Sequence, residues 1–232
     1  MSQDDDDTKP DRPTYAWKPY RPVWADVSRW VKLADPRAYA AASVAKCVGV
    51  KISEGAAWSG TAAAQAVVSA CLAEGLIVVG YQYGPGSPEA FLRAFPPRPG
   101  CIPVLDFEFA ASDQTPPAAR VKAAEHWIKT VGDAWSRLPW FYGRDAWQSA
   151  GSPKATMVEV CHYWGPQYGQ HLTPPRGVGR AVAWQYTDGS AAGPIGAPRT
   201  HTGIELRGDE TSPCDMNALL VSPQELRAMA RV

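Results

Sequence analysis

The sequence has no excess of either charge: 23 Lys and Arg stand against 23 Asp and Glu in 232 residues, a formal net charge of zero. A dedicated nucleic-acid binder carries a clear basic excess, so that role is disfavoured, a local patch aside. Long apolar runs are missing as well. Nothing approaches the roughly 18 residues of a membrane-spanning helix, so no membrane insertion is expected. Cysteine is scarce. Cys47, Cys71, Cys101, Cys161 and Cys214 lie far apart with no CxxC pair. This pattern removes zinc-ribbon and thioredoxin motifs and does not resemble a disulfide framework; buried reduced thiols are expected. His126, His162, His171 and His201 show neither HExxH nor paired metal-ligand spacing. No GxSxG occurs, and no cysteine stands in a known nucleophile context. The phosphate-binding patterns GxxxxGK[ST] and a GxGxxG after a first strand are absent too, which leaves a nucleotide fold without support. The N-terminus lacks the basic and apolar regions of a secretory signal, so synthesis in the cytoplasm without a recognisable export label is expected.

What is present is an ordinary globular composition, 45% apolar and 20% charged, enough for a sizeable core. Residues 1–22, with four consecutive aspartates and scattered prolines, read as a disordered acidic arm; an acidic contact site is the functional alternative. Residues 23–232 read as one domain. From residue 22 onward, short β-rich segments alternate with Ala-rich helical ones. Strands are predicted at 22–28, 47–53, 76–83, 101–109, 138–143, 156–164, 181–187 and 214–220. Helices are predicted at 35–45, 59–75, 87–95, 116–135, 144–151 and 222–230. Asp35-Pro36 and Ser87-Pro88-Glu89 carry helix-start signals, and Gly75 a helix stop. Repeated β–α units with continuous apolar strands predict an α/β class with a parallel sheet under helices. The number of strands favours a single closed, TIM-like barrel over an open doubly wound sheet.

In such a barrel, chemistry sits at the C-terminal ends of the strands. Polar and aromatic residues accumulate there: Asp26, Lys51, Glu54, Tyr81, Tyr83, Asp106, Glu108, Tyr142, Trp164, Trp184, Tyr186 and Asp215. Asp106 and Glu108 interrupt the otherwise apolar run "CIPVLDFEFAA". Side chains at i and i+2 of a strand face the same way, so both carboxylates point into the mouth if Phe107 packs outward. Two carboxylates placed together cannot both ionise freely, and one pKa rises. A raised-pKa acid beside an ionised partner is the arrangement for acid-catalysed glycoside cleavage. Tyr81, Tyr83, Trp164 and Trp184 would suit stacking on sugar faces, although any one of them could be ordinary core. A divalent metal held by the same acids is the competing reading. Lys51 and Glu54 could pair at the rim or contact substrate.

These segments, in order, resemble the glycoside hydrolase family 25 lysozymes: "DVS", "VKISEG", "GYQY", "LDFE", "FYG…W", "W…Y", "AWQYT" and "CDMNAL". No one of them is specific; their order and spacing carry the resemblance, over about residues 23–220. It implies an N-acetylmuramidase, bacteriophage endolysin-like, on an irregular β/α barrel with about eight strands and fewer helices, using no metal and no cofactor. It implies Glu108 as general acid. Asp106 would attack the anomeric carbon or orient the substrate's own N-acetyl group, and Asp26 and Asp215 would complete the acidic cluster. The expected partners are peptidoglycan glycan strands, with the chain acting as a monomer. Release to the wall through a holin, carriage on a virion, or another export route would fit. The sequence departs from the family at Ser53, usually threonine, and in "QYG" after Tyr81, which bears on subsites rather than on the reaction. A chitinase-like glycosidase lacks its longer DxxDxDxE here, and a glycan-binding or virion structural protein would not need all four acids.

Overall fold

The computed structural model describes residues 15–16, 22–28, 31–55, 58–59, 62–109, 113–143, 157–161, 171–172, 180–187, 201–206 and 214–231. Their strands are β1 (Tyr15–Ala16), β2 (Val23–Val27), β3 (Val31–Leu33), β4 (Cys47–Glu54), β5 (Trp58–Ser59), β6 (Ile77–Tyr83) and β7 (Cys101–Asp106). They continue with β8 (Trp140–Gly143), β9 (Met157–Cys161), β10 (His171–Leu172), β11 (Arg180–Thr187), β12 (Ile204–Leu206) and β13 (Met216–Leu219). The helices are α1 (Pro36–Ala42), α2 (Ala62–Ala73), α3 (Pro88–Ala94), α4 (Pro117–Trp135) and α5 (Pro223–Met229). Local chemistry accounts for their ends. The Asp35 carboxylate accepts from the Ala38 N–H and caps α1, with proline in its first turn. Ser87 caps α3 in the same way. Gly75 after α2 has φ +73°, a left-handed stop that glycine adopts without strain. Ser222 and Glu225 close a reciprocal capping box on α5.

The main sheet has nine strands in the order β2-β13-β11-β9-β8-β7-β6-β4-β5. It curls far enough that β2 also pairs with β4, parallel, through Asp26↔Gly49 and Val27↔Val50. The result is a mixed α/β fold with a strongly curled sheet, not the regular TIM barrel that the β–α alternation favoured. β13 runs antiparallel to both β11 and β2. A parallel return needs a long crossover, usually a helix, and the Gly/Pro-rich tract after β11 has no helical pattern to provide one. That tract instead contributes β12, which pairs antiparallel with β3 outside the main sheet. Tyr15–Ala16, within the stretch expected as an arm, pairs with His171–Leu172. The rest of residues 1–21 and the helix expected at 144–151 lie outside the described residues.

Side chains of the curled sheet divide by parity. One buried layer lies under the helices and includes Val48, Val50, Leu105, Phe107, Phe141, Trp184 and Tyr186 with Phe91, Phe95, Trp127 and Trp135. The other fills the concave side and includes Trp24, Cys47, Val79, Ile102, Val104, Trp140 and Tyr142. Along β7 the alternation is strict, with 102 and 104 facing inward and 101, 105 and 107 facing the helices. Cys47, Cys71, Cys101 and Cys214 are buried thiols, and burial pushes those of Cys71 and Cys214 up to about 12, where they stay protonated and behave as small apolar groups. Among the described residues, no helix is long and apolar enough to cross a membrane.

Candidate active site

The inward parity carries the acids to one place. Asp106 ends β7 and is buried, at 7% exposure. Glu108 lies two residues on, beyond the strand, yet ladder-like hydrogen bonds continue past the strand end. The Gly84 N–H donates to the Asp106 carbonyl and the Phe107 N–H to the Tyr142 carbonyl, both at 2.8 Å. Phe107 is fully buried, its ring 5.3 Å from Phe141 and 4.9 Å from Phe109. With Phe107 packed under the helices, Asp106 and Glu108 share the opposite face.

Asp26 and Asp215 come from opposite ends of the chain. Their backbones are joined directly, the Asp26 N–H donating to the Asp215 carbonyl at 3.0 Å. Opposite Asp26 stands Gly49, its register partner on β4. A Cβ there would fall 1.6 Å from Asp26 Oδ1, so the carboxylate occupies the space that any other residue would fill. Burial, and then the negative charge of Asp215, push the Asp26 carboxyl up to about 7. Asn217, Gln185 and Trp24 act in the other direction by favouring the ionised form. Gln185 Nε2 donates to Asp26 Oδ2 at 3.5 Å, a long contact. The Asn217 amide and the Trp24 ring N–H sit near enough to act electrostatically without closing a hydrogen bond of strict geometry. The Tyr142 hydroxyl donates to Gln185 Oε1, so a polar chain runs from Tyr142 through Gln185 to Asp26.

Asp26, Asp106, Glu108 and Asp215 line a single cavity of ≈ 230 Å³, together with Ser28, Lys51, Tyr81, Tyr83, Tyr142 and Gln185. Lys51 Nζ pairs with Glu54 at 2.7 Å and lies 4.5 Å from the centre of the Tyr83 ring. Burial is the main cause that raises the Tyr83 phenol, followed by Asp106, Glu108 and Glu54, so this ring stands among three carboxylates. Such a cavity offers a proton donor, buried negative charge and hydroxyls, the equipment for general acid–base chemistry on a polyol. Among the described residues, no group of three His, Cys, Asp or Glu is arranged to hold a metal ion.

The structure thus brings together Asp26, Asp106, Glu108, Asp215, Lys51, Tyr81, Tyr83 and Tyr142. Glu54 borders a neighbouring cavity instead. Trp184 and Tyr186 are corrected: both are fully buried in the layer under the helices, out of reach of a sugar. Between them, Gln185 faces the cavity. A register shift between Ala181 and Ala183 leaves Val182 and Ala183 both on the concave side, so counting parity from the strand's start misplaces its end. Trp164 lies outside the described residues. Gln185 and Asn217 stand among the polar residues at the strand ends in the sequence but carry no assigned role there, and Gly49 has no mark of function at all. The available signal was a polar residue between two aromatics in "WQY" and a glycine at the register position of a strand-end aspartate.

Among solved structures, a muramidase from Acremonium alcalophilum is 20% identical with a TM-score of 0.67, over 90% of this chain and 99% of that one. A bacterial lysozyme from Streptomyces coelicolor is 16% identical with a TM-score of 0.67, over 90% and 97%. The catalytic domain of an endolysin from bacteriophage P40 of Listeria monocytogenes is 16% identical with a TM-score of 0.60, over 90% and 98%. A search of curated protein sequences finds no significant match. At these identities the structures establish a shared fold. The family follows from the sequence itself: residues 25–194 match glycosyl hydrolases family 25, and the chain belongs to that family.

Proposed function

We propose that the chain is a peptidoglycan hydrolase, a muramidase that cleaves the β-1,4 bond between N-acetylmuramic acid and N-acetylglucosamine with retention. The observation that carries this reading is the convergence of four carboxylates from both ends of the chain on one cavity. Glu108, partly exposed at the mouth, protonates the leaving oxygen and then takes a proton from the incoming water. Asp106, buried deeper, acts at the anomeric carbon, by attack or by orienting the substrate's N-acetyl group. Asp26, its carboxyl pushed up to about 7 by burial and by Asp215, sets with Asp215 the field around the reacting carbon. Tyr81, Tyr83 and Tyr142 supply hydroxyls and ring faces to the sugar.

Family membership supports the reaction class, and the similar folds of a lysozyme and a muramidase support the substrate. The similarity to a phage endolysin supports lytic release to the bacterial wall as the cellular setting. In this reading the curled sheet is an irregular barrel acting as a monomer. The test is Glu108→Gln against native protein on purified peptidoglycan. Loss of cleavage with an unchanged circular dichroism spectrum is expected; full activity refutes the assignment. Muramic acid at the new reducing ends separates this reaction from cleavage at glucosamine.

A further inference from the structure

Glu108 belongs to two cavities. On one side it joins Asp106, Asp26 and Asp215. On the other, together with Tyr83, it borders a second cavity of ≈ 320 Å³ formed with Phe109, Asp113, Thr115 and Arg120. The second cavity contains none of the other three acids. A general acid stands astride the bond it cleaves, between the sugar that keeps its anomeric carbon and the sugar that leaves. The groups that act on the anomeric carbon all lie on the first side. The leaving sugar therefore belongs on the second.

The second cavity is built for a neutral, hydrogen-bonding guest. The Arg120 guanidinium stacks on Phe109 at 4.1 Å. Its Nη2 donates to the Asp113 carbonyl at 2.7 Å and lies 3.5 Å from the Asp113 carboxylate. Asp113 in turn accepts from the Thr115 N–H at 2.7 Å, which holds its carboxyl below the usual range. The Arg120–Asp113 charges cancel, and Glu54, which also lines the cavity, is paired with Lys51. What remains is a planar fork fixed in direction; with Nη2 engaged and Nε buried, its Nη1 N–H groups are the donors left for a guest.

We propose that this cavity holds the leaving-group amino sugar, and that Arg120 is a specificity-determining residue there, donating to the hydroxyl or acetamido oxygen of that sugar. The proposal rests on the retaining muramidase reading. It also predicts an acceptor site for the reverse of the first step. The hydroxyl oxygen of a sugar in this cavity attacks the anomeric carbon of the held glycosyl unit, and its proton passes to Glu108. The electron pair of the breaking bond returns to the nucleophile that held that carbon.

The experiment is a partition measurement. Peptidoglycan glycan strands are digested with excess N-acetylglucosamine or with methanol as acceptor, and transfer and hydrolysis products are counted by mass spectrometry. Both products branch from one intermediate, so their ratio is independent of enzyme amount and of donor binding. Arg120→Ala should lower transfer to N-acetylglucosamine at least fivefold relative to hydrolysis, with Arg120→Lys intermediate and the methanol ratio unchanged. An unchanged sugar ratio, or a methanol ratio that falls in step, overturns the proposal. So does a native protein that transfers to methanol and not to the sugar. A native protein that does not cleave glycan at all refutes the muramidase reading itself.

Discussion

Replacing Asp26 by asparagine should make the protein more stable at neutral pH while disabling it. The Asp26 carboxyl is raised from 3.8 to about 7 by burial and by Asp215. Below pH 3.8 it is protonated in folded and unfolded chains alike, and its contribution is intact. As the pH rises toward about 7, the unfolded chain releases a proton that the folded protein still holds, so stability falls through this window and levels off above it. At about 1.4 kcal/mol per pK unit, the loss has an upper bound of about 4 kcal/mol. Asparagine keeps the shape, can turn its carbonyl toward Gln185 Nε2, and does not titrate. The stability difference, variant minus native, should be near zero at pH 4 and rise to about 2–4 kcal/mol by pH 8. Urea unfolding followed by circular dichroism at several pH values measures it, and the carboxylates common to both proteins cancel. Parallel stability profiles, or a variant less stable than the native protein at pH 8, would refute the reasoning. Peptidoglycan cleavage by the same variant should fall about a hundredfold or more, the usual exchange between stability and a strained site.

Three further outcomes follow from individual contacts. Gly49→Ala places a Cβ within 1.6 Å of Asp26 Oδ1, so the carboxylate must move; cleavage should drop at least about tenfold with about 1–3 kcal/mol of destabilisation, and unaltered kinetics would show that Asp26 does not need its place. Gln185→Leu removes a hydrogen bond that favours ionised Asp26. The Asp26 pKa should rise, moving the corresponding limb of the pH–activity profile to higher pH, and leaving the Tyr142 hydroxyl without its acceptor should cost about 1–3 kcal/mol; an unmoved profile would sever Gln185 from Asp26. Trp184→Leu acts on a fully buried ring and should cost about 3 kcal/mol in urea unfolding with KM for glycan unchanged, whereas a raised KM in a stable variant would restore Trp184 as a sugar platform.

Signals that act over a few residues were legible in the sequence. The caps at Asp35 and Ser87 and the left-handed stop at Gly75 marked helix ends correctly, because those hydrogen bonds and dihedrals close within one turn. The apolar runs of β4, β6 and β7 were read in place. The i, i+2 spacing put Asp106 and Glu108 on one face with Phe107 on the other, because strand alternation needs no information from elsewhere in the chain. The short strands β3 and β12 were not seen, since three residues of strand have no periodicity to detect and exist through pairing with each other.

Other features exist only through partners distant in sequence. The direction of β13 is set by β2 and β11, between which it runs antiparallel. The inward side of β11 depends on a register shift against β9, which turns Gln185 to the cavity and Trp184 and Tyr186 into the core. The raised pKa of Asp26 arises because curling brings β2 beside β4 and Asp215 beside Asp26. By itself, the sequence determined which acids this protein has and how two of them face. Tertiary structure alone decided that all four meet, which aromatics they meet, and which carboxyl holds its proton, because proximity and burial are properties of the packed chain.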